Sequence, residues 1–387
     1  MFSKINTNKI LSDVGTNESS NKSCVFCANN KTEEILLSTK QSITTDGCIV
    51  NSVLSKHQCL KCGLFFNPET MEILDYKRSS GDSRFDILRH KHVADGIYEI
   101  LNNFLPTKDQ IYILEIGGGN FQTSLNLSKR DKRFNITCIE PFPETERFPD
   151  EIKCLKIAVD DYYPERKFDF VFSNQVIEHI NDPVSFVKTI GRLLNNEGLI
   201  LFCCPTQSQI SSETLFVDHL YHFSELSFQI LVNKAGYILF DEFVAPWDKL
   251  THCYTVKKEG QNCSVNNRIP PHKSMKLRQN LADKWTSLDE KLLYGIKDFA
   301  GPLYLFGAGE FSQLLECYAP DVFDKVSAII VSDKKGHRFF NKKILLVEQL
   351  KPNSGIVLLG VREEIRDSVS NYLIKIGWLP SNIISDF

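Results

Sequence analysis

The chain reads as an α/β protein, with a doubly wound, Rossmann-like core between a small cysteine-rich N-terminal module and a second, smaller Rossmann-like α/β domain. Three observations predict this. Between residues 105 and 243, short apolar runs alternate with amphipathic stretches, the pattern of a parallel sheet with helices on both faces. A strand–glycine–helix turn occurs twice, at 111–120 and at 303–312. Two Cys-x-x-Cys pairs precede the first of these turns.

At 387 residues the chain exceeds one ordinary core, and two or three domains are expected. A composition of 42% hydrophobic and 24% charged residues is that of a globular protein. A formal net charge of −3 makes no electrostatic case for nucleic acid or an anionic membrane, so a small-molecule partner is expected. No run reaches the roughly 18 apolar residues that would span a bilayer. Residues 1–21 are polar, read as a frayed leader, and lack the apolar stretch of a signal peptide. A cytoplasmic protein with free thiols is therefore expected. Oligomeric state is left open.

In chain order, residues 1–70 form the cysteine module. Residues 71–256 form the core, led in by a helix whose periodicity shows in Ile87, Val93, Ile97, Ile100 and Leu101. Its strands are expected at 111–116, 136–140, 154–158, 168–173, 199–203, 237–243 and 251–256, with helices over 121–129 and 184–194. The last two strands follow with little helix between them, which suits an antiparallel edge. Residues 257–300 comprise a polar linker to 273 and one charged amphipathic helix over 276–299. Residues 301–387 form the second domain, with strands at 303–306, 328–331, 344–346 and 356–359.

Cys24-x-x-Cys27 and Cys59-x-x-Cys62 are two knuckles of a tetrahedral, all-thiolate zinc site. With four sulfurs there is no open coordination position, so the zinc would be structural. Gly63 suits the tight turn after the second pair, and so polar a segment needs a staple to fold.

The first glycine turn follows an apolar strand ending in an acid, Glu115-x-Gly117-Gly118-Gly119. Glycines permit positive φ and let backbone approach a ligand, and the helix that follows offers free N–H groups. A dinucleotide fingerprint needs a third glycine where Gln122 stands, so that reading fails. Glu140 closes the second strand, placed to accept from two ribose hydroxyls. Asp160 follows the third strand, positioned for an adenine amino group. The run from Phe168 to Pro183 carries Asn174, Glu178 and His179. Together these resemble the motifs of class I S-adenosylmethionine-dependent methyltransferases, whose next loop position is usually glycine and is Phe121 here. Glu178 and His179 are expected to shape the cofactor pocket.

A narrower resemblance follows from Phe216-Val-Asp218-His219-Leu-Tyr-His222-Phe-Ser224. With the cysteine module and the second α/β domain, it resembles the zinc-containing sugar C-methyltransferases, which act on nucleotide-linked keto-deoxysugars. The resemblance implies His219 as general base, Asp218 as its acidic neighbour, and substrate contacts from His222 and Tyr76. Phe216 and His222 replace two of the family's tyrosines. Histidine is suited to removing a proton alpha to a carbonyl because it titrates near neutrality. O- or N-methylation would use the same base and stays open.

The second turn, Gly307-x-Gly309-x-x-Ser312 with Asp333 closing the next strand, lies nearer a dinucleotide pattern. By resemblance this domain would hold the nucleotide half of a substrate. A nicotinamide-dependent oxidoreductase and a non-catalytic binding protein remain the alternatives.

Overall fold

The computed structural model describes residues 22–68, 87–104, 109–143, 147–205, 207, 210–265, 269–333, 338–339, 341–385 and 387. Tyr76 and the 1–21 leader lie outside the described residues.

The core begins with α1 (Ile87–Phe104) and β1 (Ile111–Ile116), and continues through α2 (Gln122–Ser128), β2 (Phe134–Ile139), β3 (Lys153–Leu155), β4 (Phe168–Asn174), α3 (Pro183–Leu193), β5 (Leu194–Pro205), α4 (Glu225–Lys234), β6 (Ile238–Val244) and β7 (Thr251–Lys257). The sheet order is β3-β2-β1-β4-β5-β7-β6. Strands β1 to β5 are parallel, and β7 runs antiparallel to both neighbours. The antiparallel edge expected from the short final connections is therefore present. Successive strand residues point to opposite faces, and both faces are covered. Leu114, Val171, Ile200 and Phe202 pack with Phe186, Val187 and Ile190 of α3 and Phe228 and Leu231 of α4. Ile113, Phe170, Phe172 and Leu201 pack with Val93, Ile97 and Leu101 of α1 and Leu127 of α2. This two-sided burial explains why the strands read as near-continuous apolar runs.

Local signals set the helix boundaries. Asp182 caps α3 by accepting from Ser185 N–H at 3.0 Å, with Pro183 in its first turn. Ser224 and Ser227 form a reciprocal cap at the start of α4. The expected third strand shortens to 153–155, and Asp160 falls in the short helical turn Val159–Asp161. The expected helix over 276–299 starts earlier and is two helices, α5 (Pro271–Thr286) and α6 (Leu288–Ile296), broken at Ser287. Pro271 in the first turn of α5 sets that earlier start, since its fixed φ suits a helix beginning.

The C-terminal sheet is a second parallel set. Its strands are β8 (Leu303–Phe306), β9 (Val326–Val331), β10 (Lys342–Leu346), β11 (Ile356–Leu359) and β12 (Ile383–Ile384), in order β10-β9-β8-β11-β12. An edge strand, Arg338–Phe339, pairs antiparallel with β10. Helix α7 (Glu310–Tyr318) follows the second glycine turn.

The N-terminal segments do not stand apart. Thr32–Ser38, Leu54–Cys59 and Phe65–Phe66 form an antiparallel sheet whose fourth strand is Tyr221–His222, from the insertion after β5. Ile35, Leu37 and Phe65 share one apolar cluster with Leu215 and Phe216 of that insertion, Trp285 of α5 and Leu314 of α7. Among the described residues, no helix is long and apolar enough to cross a membrane.

Candidate functional site

The parallel strands end their C-terminal edge on the two loops where the sequence motifs lie, as expected for a ligand crevice in an open α/β sheet. After β1 the chain turns through Gly117 (φ 79°), Gly119 (φ 55°) and Phe121 (φ 65°). A Cβ on Gly117 would lie 2.3 Å from Val176 Cγ2, and one on Gly118 would lie 2.1 Å from Cys138 Sγ. Both positions are closed to any larger side chain. We expect Gly118→Val to destabilise the fold by about 1–3 kcal/mol through overpacking against Cys138; thermal melting would read the effect.

Phe121 explains the unusual motif. A left-handed conformation costs an L-residue about 1–2 kcal/mol, which is why glycine suits this place. Phe121 is wholly buried and packs edge-on against Phe148 at 5.1 Å. Burying a phenylalanine side chain contributes about 1.5–3 kcal/mol, enough to offset the strain.

The carboxylates of the loop divide their work. Glu140 Oε2 accepts from Gly119 N–H at 3.0 Å, and Oε1 accepts from Phe142 N–H at 2.9 Å, so Glu140 holds the glycine turn. Glu115 is 3% exposed and accepts from Ser124 Oγ and, at 3.3 Å, Cys138 Sγ. It therefore ties β1 to α2 and β2, and burial raises its carboxyl above the usual range against those two hydrogen bonds. Asp160 is exposed and accepts from Thr189 Oγ1 of α3 at 3.0 Å. Asn174 ends β4 with its Oδ1 buried.

A second group gathers where the loop after β4 meets the insertion after β5. Glu178 and His179 lie in the short turn Ile177–His179, and ligand atoms of Glu178, His179 and His219 all fall within 4.8 Å of one another. The His179 and His219 rings meet edge-on at 4.7 Å. His179 Nδ1 donates to the carbonyl of Asp218 at 2.8 Å. His219 is 2% exposed, and its Nδ1 faces Glu213 Oε2 at 3.5 Å. Glu178 is fully buried, and burial pushes its carboxyl well above the usual range, with Glu213 and Asp218 adding to the effect.

The cysteine module builds the floor of this group. Asp218 accepts from Thr45 N–H at 2.9 and 3.1 Å and from Thr45 Oγ1 at 2.7 Å, so its carboxylate is occupied by the module. Lys56, wholly buried, donates to the carbonyls of Thr214, Phe216 and His219 at 3.1, 2.8 and 2.8 Å. Burial lowers its ammonium to about 7, while three carbonyls matched to three donors favour the charged form. His222 Nε2 lies 3.0 Å from Lys56 Nζ. Burial and then the Lys56 charge hold this imidazole well below its usual range, so it is neutral and faces the module. Phe216 is wholly buried with its ring 5.6 Å from His219.

Glu213, Thr45 and Lys56 were not expected from the sequence. Glu213 has a faint signal, an acid a short way before Asp218-His219. Lys56 has none, since a lysine between polar residues reads as solvent-exposed. Glu213 also reaches the second glycine turn: Arg362, which follows β11, lies 3.6 Å from Glu213 Oε1 and 3.1 Å from Glu310 Oε2 at the start of α7. Glu213 keeps 19% of its side chain exposed, and burial followed by Glu310 raises its carboxyl to about 8. In the turn itself, Gly307 (φ 106°) and Gly360 are bridged by Ser312, whose Oγ donates to their carbonyls at 2.8 and 3.1 Å.

The four cysteines converge. Their sulfurs lie within 4.8 Å of one another, with Cys24–Cys62 at 3.6 Å and Cys27–Cys59 at 3.5 Å. Tetrahedral zinc with 2.3 Å bonds would separate sulfurs by about 3.8 Å, so the donor set fits. Lys61 and Cys62 N–H groups point to Cys59 Sγ at 3.4 and 3.5 Å, with Gly63 (φ 78°) completing the turn.

Residues 89–247 match the model of a methyltransferase domain family. Over 146 residues the chain is 30% identical to malonyl-[acyl-carrier protein] O-methyltransferase 1 of Ilyobacter polytropus, covering 34% of this chain and 53% of that protein. Over 105 residues it is 32% identical to an uncharacterized protein of Mycobacterium tuberculosis, covering 24% and 35%. The chain thus spans about half, or less, of the length of these curated relatives. A likeness to the 1,6-didemethyltoxoflavin-N1-methyltransferase of Burkholderia thailandensis covers 52% of this chain and 98% of that one, at 14% identity and a TM-score of 0.37, too low to carry an argument. The central α/β unit carries this match, and its sheet order is that of a Rossmann-like methyltransferase fold.

Proposed function

We propose that the protein methylates a carbon alpha to a keto group of a small-molecule acceptor, a nucleotide-linked sugar in the favoured reading, with His219 as general base. The observation that carries this is the His219–Glu213 pair beside Glu178 and His179 of the loop after β4. When ionised, Glu213 beside Nδ1 at 3.5 Å favours the tautomer that leaves Nε2 as the proton acceptor. His219 Nε2 takes the alpha proton, and the enolate carbon forms the new bond in line with the departing sulfur. S-adenosylmethionine, when bound, supplies the methyl group on its sulfonium. Gly117, Gly118, Gly119 and the Glu140 that holds them are the residues that would cradle it, with Asn174, Glu178 and His179 from the next strand end.

Asp218 and Lys56 act as positioning residues, since both are engaged with backbone or hydroxyl groups. Phe216 brings no hydroxyl to an enolate oxygen, so that charge would fall to other donors. The contacts of Glu213 with both Arg362 and His219 support a role for the second glycine turn on the acceptor side, and with it a substrate with an anionic or nucleotide portion. O-methylation is the second reading, favoured by the activity of the Ilyobacter relative. The four-cysteine site would hold zinc in a structural role.

Calorimetry tests the donor directly. S-adenosylmethionine should bind at one site and NAD should not. Glu140→Ala, which frees Gly119, should weaken the donor by about tenfold or more, the equivalent of one charge-assisted hydrogen bond. Absence of heat with S-adenosylmethionine, or tighter binding of NAD, would overturn the assignment.

A further inference from the structure

The cluster of Glu178, His179 and His219 has a property that proton abstraction does not use. His179 is engaged through Nδ1 with the Asp218 carbonyl at 2.8 Å, and His219 Nδ1 faces the Glu213 carboxyl group at 3.5 Å without a hydrogen bond between them. Histidines that ligate metals are held as His179 is, by a carbonyl or carboxylate that orients the ring and makes the other nitrogen more basic. The third member, Glu178, is fully buried, and neither carboxylate oxygen meets a donor from another residue among the described residues. A buried polar group without a partner is costly, and a charged one more so. A cation would remove that cost.

We propose that Glu178, His179 and His219 form a second metal site, for a divalent transition-metal ion of the zinc, cobalt or nickel kind. Two imidazoles and one carboxylate select that class over magnesium or calcium, which prefer all-oxygen shells. The ligand atoms already lie within 4.8 Å of one another, a spacing one ion can span with little rearrangement. Three protein ligands leave coordination positions open, unlike the closed four-cysteine site. The other mixed cluster, Glu225, Glu242 and His252, is a weaker candidate because His252 Nε2 is already bonded to Glu242 at 2.5 Å.

The functional consequence rests on His219 being the base: an ion there takes the lone pair that proton abstraction needs, so metal loading and methyl transfer exclude each other. The site thus offers inhibition by transition-metal ions.

The test uses full-length protein with its four-cysteine site filled by zinc, titrated with Co²⁺ in a non-chelating buffer. One further equivalent should bind, with weak visible d–d bands and none of the intense thiolate charge transfer of a cysteine site. Glu178→Gln combined with His179→Gln should abolish that equivalent without removing the zinc. Glu213→Gln, which keeps all three ligands and changes the acid group that faces His219 and Arg362, should weaken Co²⁺ by about 10–100-fold. No bound Co²⁺ in the wild-type protein, or undiminished binding in the double variant, would overturn the site. Methyl transfer that requires Co²⁺ would overturn the exclusion. Binding of S-adenosylmethionine is measured separately, so a failed cation site and a failed donor assignment are distinguishable.

Discussion

His219→Asn lowers methyl transfer by about 10²–10⁴-fold, the range over which a positioned general base contributes. The expected result is specific: label from methyl-labelled S-adenosylmethionine no longer reaches the acceptor, while calorimetric affinity for the donor stays near the wild-type value. Asparagine keeps a polar group in a pocket where His219 is 2% exposed and packs against His179, Phe216 and His222. The melting temperature therefore separates lost chemistry from lost packing. Glu213→Gln should lower the rate less, because it keeps shape while removing the acid group that faces Nδ1. A full rate in His219→Asn would remove this residue from the mechanism. A loss in Glu213→Gln as large as in His219→Asn would show that the imidazole works only when that acid group is present.

Cys59→Ser is expected to have the largest effect on folding, and through folding on the site. Structural zinc contributes apparent free energies of about 10–16 kcal/mol to small domains, comparable with the whole stability of an ordinary domain, about 5–15 kcal/mol. The consequence extends beyond the module. Phe26 stacks on Tyr221 at 5.5 Å and on Phe223 at 6.0 Å, Ser224 Oγ donates to the Cys62 carbonyl, and Phe65 and Phe66 pair with His222 and Tyr221. Losing the knuckle releases the strand that leads out of His219. Purified wild-type protein should contain about one zinc per chain at the cysteines; Cys59→Ser should lack it, melt lower and lose methyl transfer. A variant that lost the metal and kept full transfer would show that the module does not position the insertion.

Much of this was legible beforehand. The alternation of apolar runs predicted a parallel sheet with an antiparallel edge because each strand is buried on both faces. The cysteine spacing predicted a convergent sulfur set because a knuckle is a local turn. The glycine turn after β1 was visible for the same reason, and the odd Phe121 became intelligible once its φ of 65° and its complete burial were seen. Local chemistry also hid things. The break between α5 and α6 at Ser287 carries no proline or glycine, and the early start of α5 was masked by an apparently polar linker.

Sequence alone determined the class of the central domain, since strand ends, glycines and acids recur there at spacings that backbone geometry imposes. Tertiary structure decided what surrounds His219. Lys56 and Thr45 lie far away along the chain from Asp218 and His219, yet both bond to this insertion. Arg362, near the other end, meets Glu213. No local pattern encodes such meetings. A lysine between polar residues takes solvent by default; here three backbone carbonyls brought together by the fold compensate its burial, which only the completed packing supplies.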